Sequence, residues 1–302
     1  MAEGPEGGQA YWLDASDGVR IRIGCWTSGS SGTVLLFSGR TEYIEKYGRV
    51  AGDLANAGYS TVVVDWRGQG LADRVARDKH IGHVADFADY QLDVAAVMTA
   101  VEKLNMPRPF HLLGHSMGGA IGLRALTEGL DVKSAVFSAP MWGIKLPTAI
   151  QPFSGLITSA AKLLGLSLAY APGTGPRPYV LKCKFDANAL THDRDTYGWL
   201  QTQVRAEPGF GLGGPSMHWL HTAFAEMEQL RQISTVPCPA LAFVGSDEAI
   251  VEADYVHELA NSWDTGRSET ITNAQHEVMM ESEPNRSIFM EKTISHFNAN
   301  HL

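Results

Sequence analysis

The sequence is poor in cysteine, short of basic residues and nearly free of long apolar runs, and each shortage removes a class of protein. Only Cys25, Cys183 and Cys238 occur. Three scattered thiols with no CxxC pair build neither a disulfide framework nor a zinc site. Lys and Arg number 24 against 33 Asp and Glu, a formal charge of -9. A chain of that sign repels a phosphate backbone, so no nucleic-acid partner is expected. The first ten residues are polar and rich in Gly and Glu. They lack the basic region and apolar stretch of a secretory signal, and a reducing, cytoplasmic location is the expectation. Residues 149–170 are apolar enough to raise the question of a membrane span, but Gln151, Pro152, Ser154, Ser159, Lys162 and Ser167 interrupt them. A span needs about 20 consecutive, predominantly apolar residues. The stretch therefore reads as an amphipathic lid or a buried helix, no transmembrane segment is expected, and any membrane-surface contact would be transient.

What is present is a globular chain: 44% of its residues are hydrophobic and 19% charged, enough to bury a sizeable core. Residues 18–26 alternate apolar and polar, predicting a half-exposed antiparallel strand near a sheet edge. The runs TVLLF (33–37), STVVV (60–64), 110–113, 132–138 and PALAFV (239–244) read as buried strands. Between them, residues 47–57, 87–104 and 119–128 carry helical spacing, and 252–262 and 285–298 follow late in the chain. A further strand is expected at 267–271. Strands alternating with helices imply right-handed βαβ units and a mainly parallel sheet with helices on both faces. The alternation breaks between about 141 and 235, where Pro and Gly are frequent and β-rich runs vanish. This predicts an α/β core of residues 1–140 and 236–302 carrying a helical cap, or lid, at 141–235.

The chemistry is concentrated in Gly114-His115-Ser116-Met117-Gly118. This G-x-S-x-G run follows a predicted strand and opens a predicted helix, the setting in which a serine sits on a strained turn as a nucleophile. Small residues two before and two after Ser116 are needed to avoid collision, and the helix points its positive end at the reacting oxygen. A serine hydroxyl is a weak nucleophile and needs a base oriented by a third group. Asp247, just past PALAFV, supplies the expected acid, and His276, in the loop after residue 271, the expected base. Both fall on loops at the carboxyl edge of the sheet. Glu248 is the competing acid and would point elsewhere on the turn. His115 is expected to fill space beside the serine. His80 and His83, like His218 and His221, have i, i+3 spacing but no evident third ligand, and read as solvated or packing histidines. The oxyanion hole should use the backbone N–H groups of Met117 and Arg40, with Gly39 allowing a close turn.

Around these residues the chain resembles the lysophospholipase and monoacylglycerol lipase branch of the α/β-hydrolases, grouped with the serine aminopeptidases. The resemblance rests on Ser38-Gly39-Arg40-Thr41-Glu42-Tyr43, Asp65-Trp66-Arg67-Gly68-Gln69-Gly70, the elbow GHSMGG, Ser138-Ala139-Pro140-Met141, Gly245-Ser246-Asp247 and Gln275-His276-Glu277. Asn188-Ala189-Leu190-Thr191 and Gly213-Gly214-Pro215-Ser216 look like the bacterial lysophospholipase subgroup. Many relatives carry His-Gly where this chain has Ser38-Gly39, and that departure also favours the subgroup. The resemblance implies the α/β-hydrolase fold and a serine hydrolase that cleaves carboxylic esters through an acyl-enzyme, with no cofactor and no metal. Its expected substrate is a lysophospholipid first and a monoacylglycerol second. Gly39, His115 and Met141 are expected to border it. Two alternatives stay open. One is an aminopeptidase or small-ester esterase, with Glu207, Glu226 and Glu228 available for a free amine. The other is a non-catalytic binding protein on the same scaffold.

Overall fold

A computed structural model of the chain describes residues 1–145 and 163–301. Its framework is an eight-stranded sheet of β1 (Gln9–Asp14), β2 (Arg20–Trp26), β3 (Thr33–Phe37), β4 (Ser60–Asp65), β5 (Phe110–His115), β6 (Ala135–Ser138), β7 (Ala240–Gly245) and β8 (Gly266–Ile271). The strand order is β1-β2-β4-β3-β5-β6-β7-β8. β1 and β2 run antiparallel, and every pairing from β4–β3 to β7–β8 is parallel. Six residues of β1 were not evident in the sequence. Their pairing moves β2 one strand inward, which is why β2 is buried except at Arg20 instead of half exposed.

The parallel strands read as unbroken apolar runs because both faces are covered. Period-two geometry then sorts their side chains into two clusters. Leu35, Phe37, Val62, Val64, Leu112, Phe137, Ala242 and Val244 pack with α2 (Asp89–Lys103), α3 (Met117–Thr127) and α7 (Ala253–Ser262). The intervening Val34, Leu36, Val63, Leu113, Val136, Leu241 and Phe243 pack with α1 (Gly48–Asn56) and α8 (Asn285–Ala299).

Between β6 and β7 the described residues form α4 (Tyr179–Lys182), α5 (Arg194–Ala206) and α6 (Met217–Leu230). α6 is capped by Ser216, whose Oγ accepts the Trp219 N–H at 2.9 Å. It buries Trp219, Ala223, Met227 and Leu230 in the same cluster as α3 and the sheet. Other described residues of this segment meet the loops at the carboxyl ends of the strands. Gly213 N donates to His80 O, Gly82 N to Gly214 O and Ser216 N to Gly82 O. Tyr43 stacks on Phe210 with ring centroids 4.2 Å apart. Much of the apolar stretch at 149–170 lies outside the described residues. Within its described end, Leu163, Leu164, Leu166 and Leu168 are exposed. No described helix is long and apolar enough to cross a membrane.

Candidate active site

β5 delivers the serine. The chain leaves the strand at His115 and turns directly into α3, which forces Ser116 to φ 50°, ψ -117°, a left-handed region that costs an L-residue of order 1–3 kcal/mol. The surroundings hold it there: Ser116 N donates to Ser138 O at 3.0 Å, and Met141 N donates to Ser116 O at 2.9 Å. Space is the second requirement. A Cβ at Gly118 would collide with the carbonyl of Phe37, and one at Gly119 would lie 2.6 Å from Pro140 Cβ. The glycines of the motif are thus set by steric contact between α3 and the neighbouring strand ends.

His276 comes from the loop after β8. Its Nε2 lies 2.9 Å from Ser116 Oγ, and its Nδ1 lies 2.8 Å from Glu248 Oε2. All three side chains are buried. A carboxylate can only accept, so Nδ1 carries the proton and Nε2 is left as the acceptor for the serine hydroxyl. The expected acid is therefore corrected from Asp247 to Glu248. At the end of β7, Ser246 N and Asp247 N donate to Ile271 O and Ala274 O, and this turn throws the short Asp247 side chain outward. There it accepts from Ser246 Oγ at 3.0 Å and pairs with His192 Nε2 at 3.0 Å, about half exposed. The next residue has one more methylene and folds back under the loop. Glu248 Oε1 accepts the N–H groups of Ile250 (2.6 Å) and Val251 (3.1 Å), leaving Oε2 for the histidine. Burial pushes the Glu248 carboxyl up, but His276 and these two N–H donors outweigh it, and its pKa lies below the usual value.

The loop after β3 is fastened from three sides. Ser38 Oγ donates to Val64 O (2.6 Å), Trp66 Nε1 donates to Ser38 O (2.9 Å), and Gln69 Nε2 donates to Gly39 O (2.7 Å). The Asp65–Gly70 motif thus fixes the segment that carries Arg40. Met117 is the first residue of α3, where an N–H has no carbonyl partner within the helix. The Arg40 guanidinium reaches toward the inserted segment: Nη2 donates to Gly213 O at 2.8 Å and the group lies over Trp219. Burial lowers its pKa to about 10.

Each residue expected to border the substrate has a defined place in the structure. Gly39 donates its N–H to Glu42 Oε2 and gives its carbonyl to Gln69, and Met141 is buried in the larger apolar cluster. His115 is closed off entirely. It sits in a buried group of charges that the sequence pattern did not bring together, with Glu42, Lys46, Tyr47 and Glu277. Glu42, His115 and Glu277 present ligand atoms close enough for a metal ion. However, Lys46 Nζ stands 2.5 Å from both Glu42 Oε1 and Glu277 Oε1, so the cation between these carboxylates is the lysine. The signal that could have found this group was the Glu42/Lys46 pair at i, i+4 amid Tyr43, Ile44 and Tyr47. Two charges in an apolar frame must be paired if they are buried.

The acids available for a free amine are already engaged. Glu226 is paired with Arg124 (2.6 Å), Glu228 with Arg231 (3.8 Å), and Glu207 Oε1 accepts Gly209 N (2.9 Å). His83 Nδ1 lies 2.9 Å from Ser216 Oγ and His218 Nε2 2.7 Å from Ala85 O, which gives both rings structural partners.

A serine on a strand–turn–helix elbow, an acid and a histidine following it in that chain order, and a mainly parallel sheet covered on both faces define an α/β-hydrolase. The chain belongs to the serine aminopeptidase S33 family, whose profile it matches over residues 29–283. It is 30% identical over 266 residues to a probable lysophospholipase L2 from Haemophilus influenzae, covering 87% of this chain and 82% of that protein. It is 31% identical over 274 residues to lysophospholipase L2 from Escherichia coli K12, covering 88% and 80%. Among solved structures it superposes on a soluble variant of monoglyceride lipase from Saccharomyces cerevisiae with a TM-score of 0.74. That match has 18% identity and covers 99% of this chain and 98% of the other. A thermostable carboxyl esterase from Bacillus coagulans gives 0.72 at 14% identity, covering 99% and 100%. At these identities the two structures speak for the fold.

Proposed function

We propose that the protein is a serine carboxylic ester hydrolase that cleaves a single-chain lipid ester, a lysophospholipid, through an acyl-enzyme. The observation that carries the chemistry is the unbroken hydrogen-bond chain from Ser116 Oγ to His276 Nε2 (2.9 Å) and from His276 Nδ1 to Glu248 Oε2 (2.8 Å). Ser116 Oγ attacks the ester carbonyl as His276 Nε2 takes its proton. The N–H groups of Arg40 and Met117 receive the oxyanion. Collapse expels the alcohol, which takes the proton from His276 and leaves the acyl group on Ser116. Water, deprotonated by His276, then releases the fatty acid. Glu248 keeps Nδ1 protonated throughout and stabilises the imidazolium formed in each half-reaction.

The substrate assignment is supported by the two lysophospholipase relatives, each matched over about four-fifths of its length, and by the exposed Leu163, Leu164, Leu166 and Leu168 in the inserted segment. Residues 141–235 serve in this reading as the cap over the site, with α6 as the part fixed to the core. The three free thiols fit a reducing compartment such as the cytoplasm.

The test is hydrolysis of p-nitrophenyl esters of short and long chain, lysophosphatidylcholine, monoacylglycerol and an aminoacyl anilide, with Ser116→Ala as control. Fatty acid release from the lysophospholipid, abolished by the substitution, is expected. Turnover of short esters or of monoacylglycerol alone would overturn the substrate class while keeping the serine chemistry. Silence on every ester, with no fluorophosphonate labelling of Ser116, would overturn both.

A further inference from the structure

Beneath the proposed active site lies the closed group of Glu42, Lys46, Tyr47, His115 and Glu277, all of them buried. Its members are sequence neighbours of every working part. His115 precedes Ser116, Glu277 follows His276, and Glu42 Oε2 accepts the N–H of Gly39, which precedes Arg40.

The hydrogen bonds determine where the protons are. Glu42 is surrounded by donors: Lys46 Nζ on Oε1, and the Tyr47 hydroxyl and Gly39 N–H on Oε2. It therefore acts as an ionised carboxylate. Glu277 Oε1 accepts from Lys46 at 2.5 Å. His115 Nδ1 lies 3.0 Å from the carbonyl oxygen of Ser138, an atom that can only accept, so Nδ1 bears a proton. The other ring nitrogen faces two carboxylates: Nε2 is 3.5 Å from Glu42 Oε1 and 3.5 Å from Glu277 Oε2. His115 Nε2 and Glu277 Oε2 are also two of the few buried polar side-chain atoms left without a hydrogen bond among the described residues. A bare Nε2 would set a lone pair against two anions and leave Glu277 Oε2 orphaned in the interior, where either fault is costly. One proton on Nε2 removes both. It also balances the group, with Lys46 and His115 positive against Glu42 and Glu277 negative.

We propose that His115 is a fixed imidazolium in the resting enzyme, completing a neutral four-charge group that positions the nucleophile, the general base and the oxyanion loop together and sets the field felt by His276. The inference rests on the Ser116–His276 reading above, although its first test does not. The electrostatics agree with the geometry. Burial opposes the charge on His115, but Glu42 and Glu277 together outweigh it and its pKa lies above the ordinary value. Lys46 is likewise raised against its burial by Glu277 and Glu42. Glu277, despite burial, is held well below the carboxylate range by Lys46 and His115. The Tyr47 phenol is pushed far up by burial and the Glu42 charge, so it stays a donor. The His115 and His276 ring centroids are 5.0 Å apart, close enough for one charge to act on the other with little screening.

His115 is a positioning residue here, and the experiment reads its charge directly. In wild-type protein labelled with 15N-histidine, His115 should show both ring nitrogens protonated at pH 8, where burial keeps His111 neutral. A single protonated nitrogen on His115 at that pH would overturn the proposal, whether or not the protein turns over any substrate. The second arm follows the acid limb of kcat/KM on a p-nitrophenyl ester. His115→Gln leaves the group with one excess negative charge, stabilises protonated His276, and should move the limb up by about one pH unit. Glu277→Gln leaves one excess positive charge and should move it down by a similar amount. The double variant restores neutrality and should return the limb to the wild-type position. Identical limbs in all four proteins, each still labelled at Ser116 by a fluorophosphonate, would overturn the electrostatic role. If a single variant fails to fold, the wild-type spectrum still decides the protonation state.

Discussion

Glu248 Oε2 touches His276 Nδ1 at 2.8 Å, while the carboxylate one residue earlier, Asp247, points out of the site to His192. Two adjacent acids on one turn are therefore placed oppositely, and substitution separates them. Glu248→Gln keeps the Oε1 contacts to Ile250 and Val251 but presents an NH2 group to Nδ1, which puts the histidine proton on Nε2, where it blocks the serine. The expected loss in kcat is about 10³–10⁴-fold. Asp247→Asn should leave kcat within about threefold, since its partner His192 is exposed and exposed pairs contribute little. Steady-state hydrolysis of p-nitrophenyl butyrate by both variants, with circular dichroism to check folding, makes the comparison. Equal losses would contradict the assignment.

That pair also shows how far the sequence carries. The meeting of Ser116 with His276 was legible because each type is fixed by a motif or by chain order, and the buried strands because a two-sided core demands continuous apolar runs. The choice between Asp247 and Glu248 was not, because it depends on the direction of a turn set by the Ala274 and Ile271 carbonyls, which arrive on a different strand and its loop. Trp66 and Gln69 were recognisable within a motif, but their task of clamping the loop after β3 through Ser38 and Gly39 is visible only once β3 and β4 lie side by side. β1 was missed because a surface strand of mixed composition, with most of its positions exposed and none buried, carries no apolar alternation. The charged group around His115 needed three distant segments to meet, and local periodicity cannot report that.

The two motifs singled out between residues 141 and 235 turn out to be seams between that segment and the core, and one of them reaches the loop that carries His276. Asn188 Oδ1 accepts the N–H groups of Leu190 and Thr191, and its Nδ2 donates to Phe185 O and Thr191 O. The turn so formed presents Leu190 O to Glu277 N at 2.8 Å, one residue from His276. Asn188→Ala should cost about 2 kcal/mol of stability by stranding buried backbone groups. It should also lower kcat by about 10- to 100-fold through displacement of the histidine loop. Urea unfolding and ester turnover measure the two effects. A stability loss with unchanged kcat would show that the seam does not hold His276.

The elbow glycines make a ranked prediction. A methyl at Gly118 meets the backbone carbonyls of Phe37 and Ser38, which cannot swing away. At Gly114 the nearest atoms, Gly118 O and Gly119 Cα, lie 3.0 Å from the new carbon and need give only a few tenths of an ångström. Gly118→Ala should therefore destabilise by about 3 kcal/mol and Gly114→Ala by about 1 kcal/mol, within the range for overpacked sites. Urea midpoints at fixed m-value read the difference, and the reverse order would contradict the packing argument.

His111 sets an acid limit on stability that is separate from the active site. Its ring is buried on β5 between Tyr59 and Phe297, with Nδ1 on Ser134 Oγ at 2.9 Å and Nε2 without a hydrogen bond among the described residues. Burial, with smaller contributions from His301 and His296, lowers its pKa to about 4 from the ordinary 6.5. The folded state thus refuses a proton that the unfolded chain accepts. Stability from this group is fully present above about pH 6.5, falls as the pH drops through the window between 6.5 and 4, and levels off below. The total change is about 3 kcal/mol, because each tenfold loss of proton affinity on folding corresponds to about 1.36 kcal/mol. His111→Leu removes the titration, so the fall in unfolding free energy between pH 7 and pH 5 should shrink by about 2 kcal/mol relative to wild type, whatever the variant's stability at pH 7. Urea unfolding at the two pH values measures it. An undiminished slope in the variant would place the acid sensitivity elsewhere, with His83 and His296, whose burial lowers them in the same direction, as the next residues to replace.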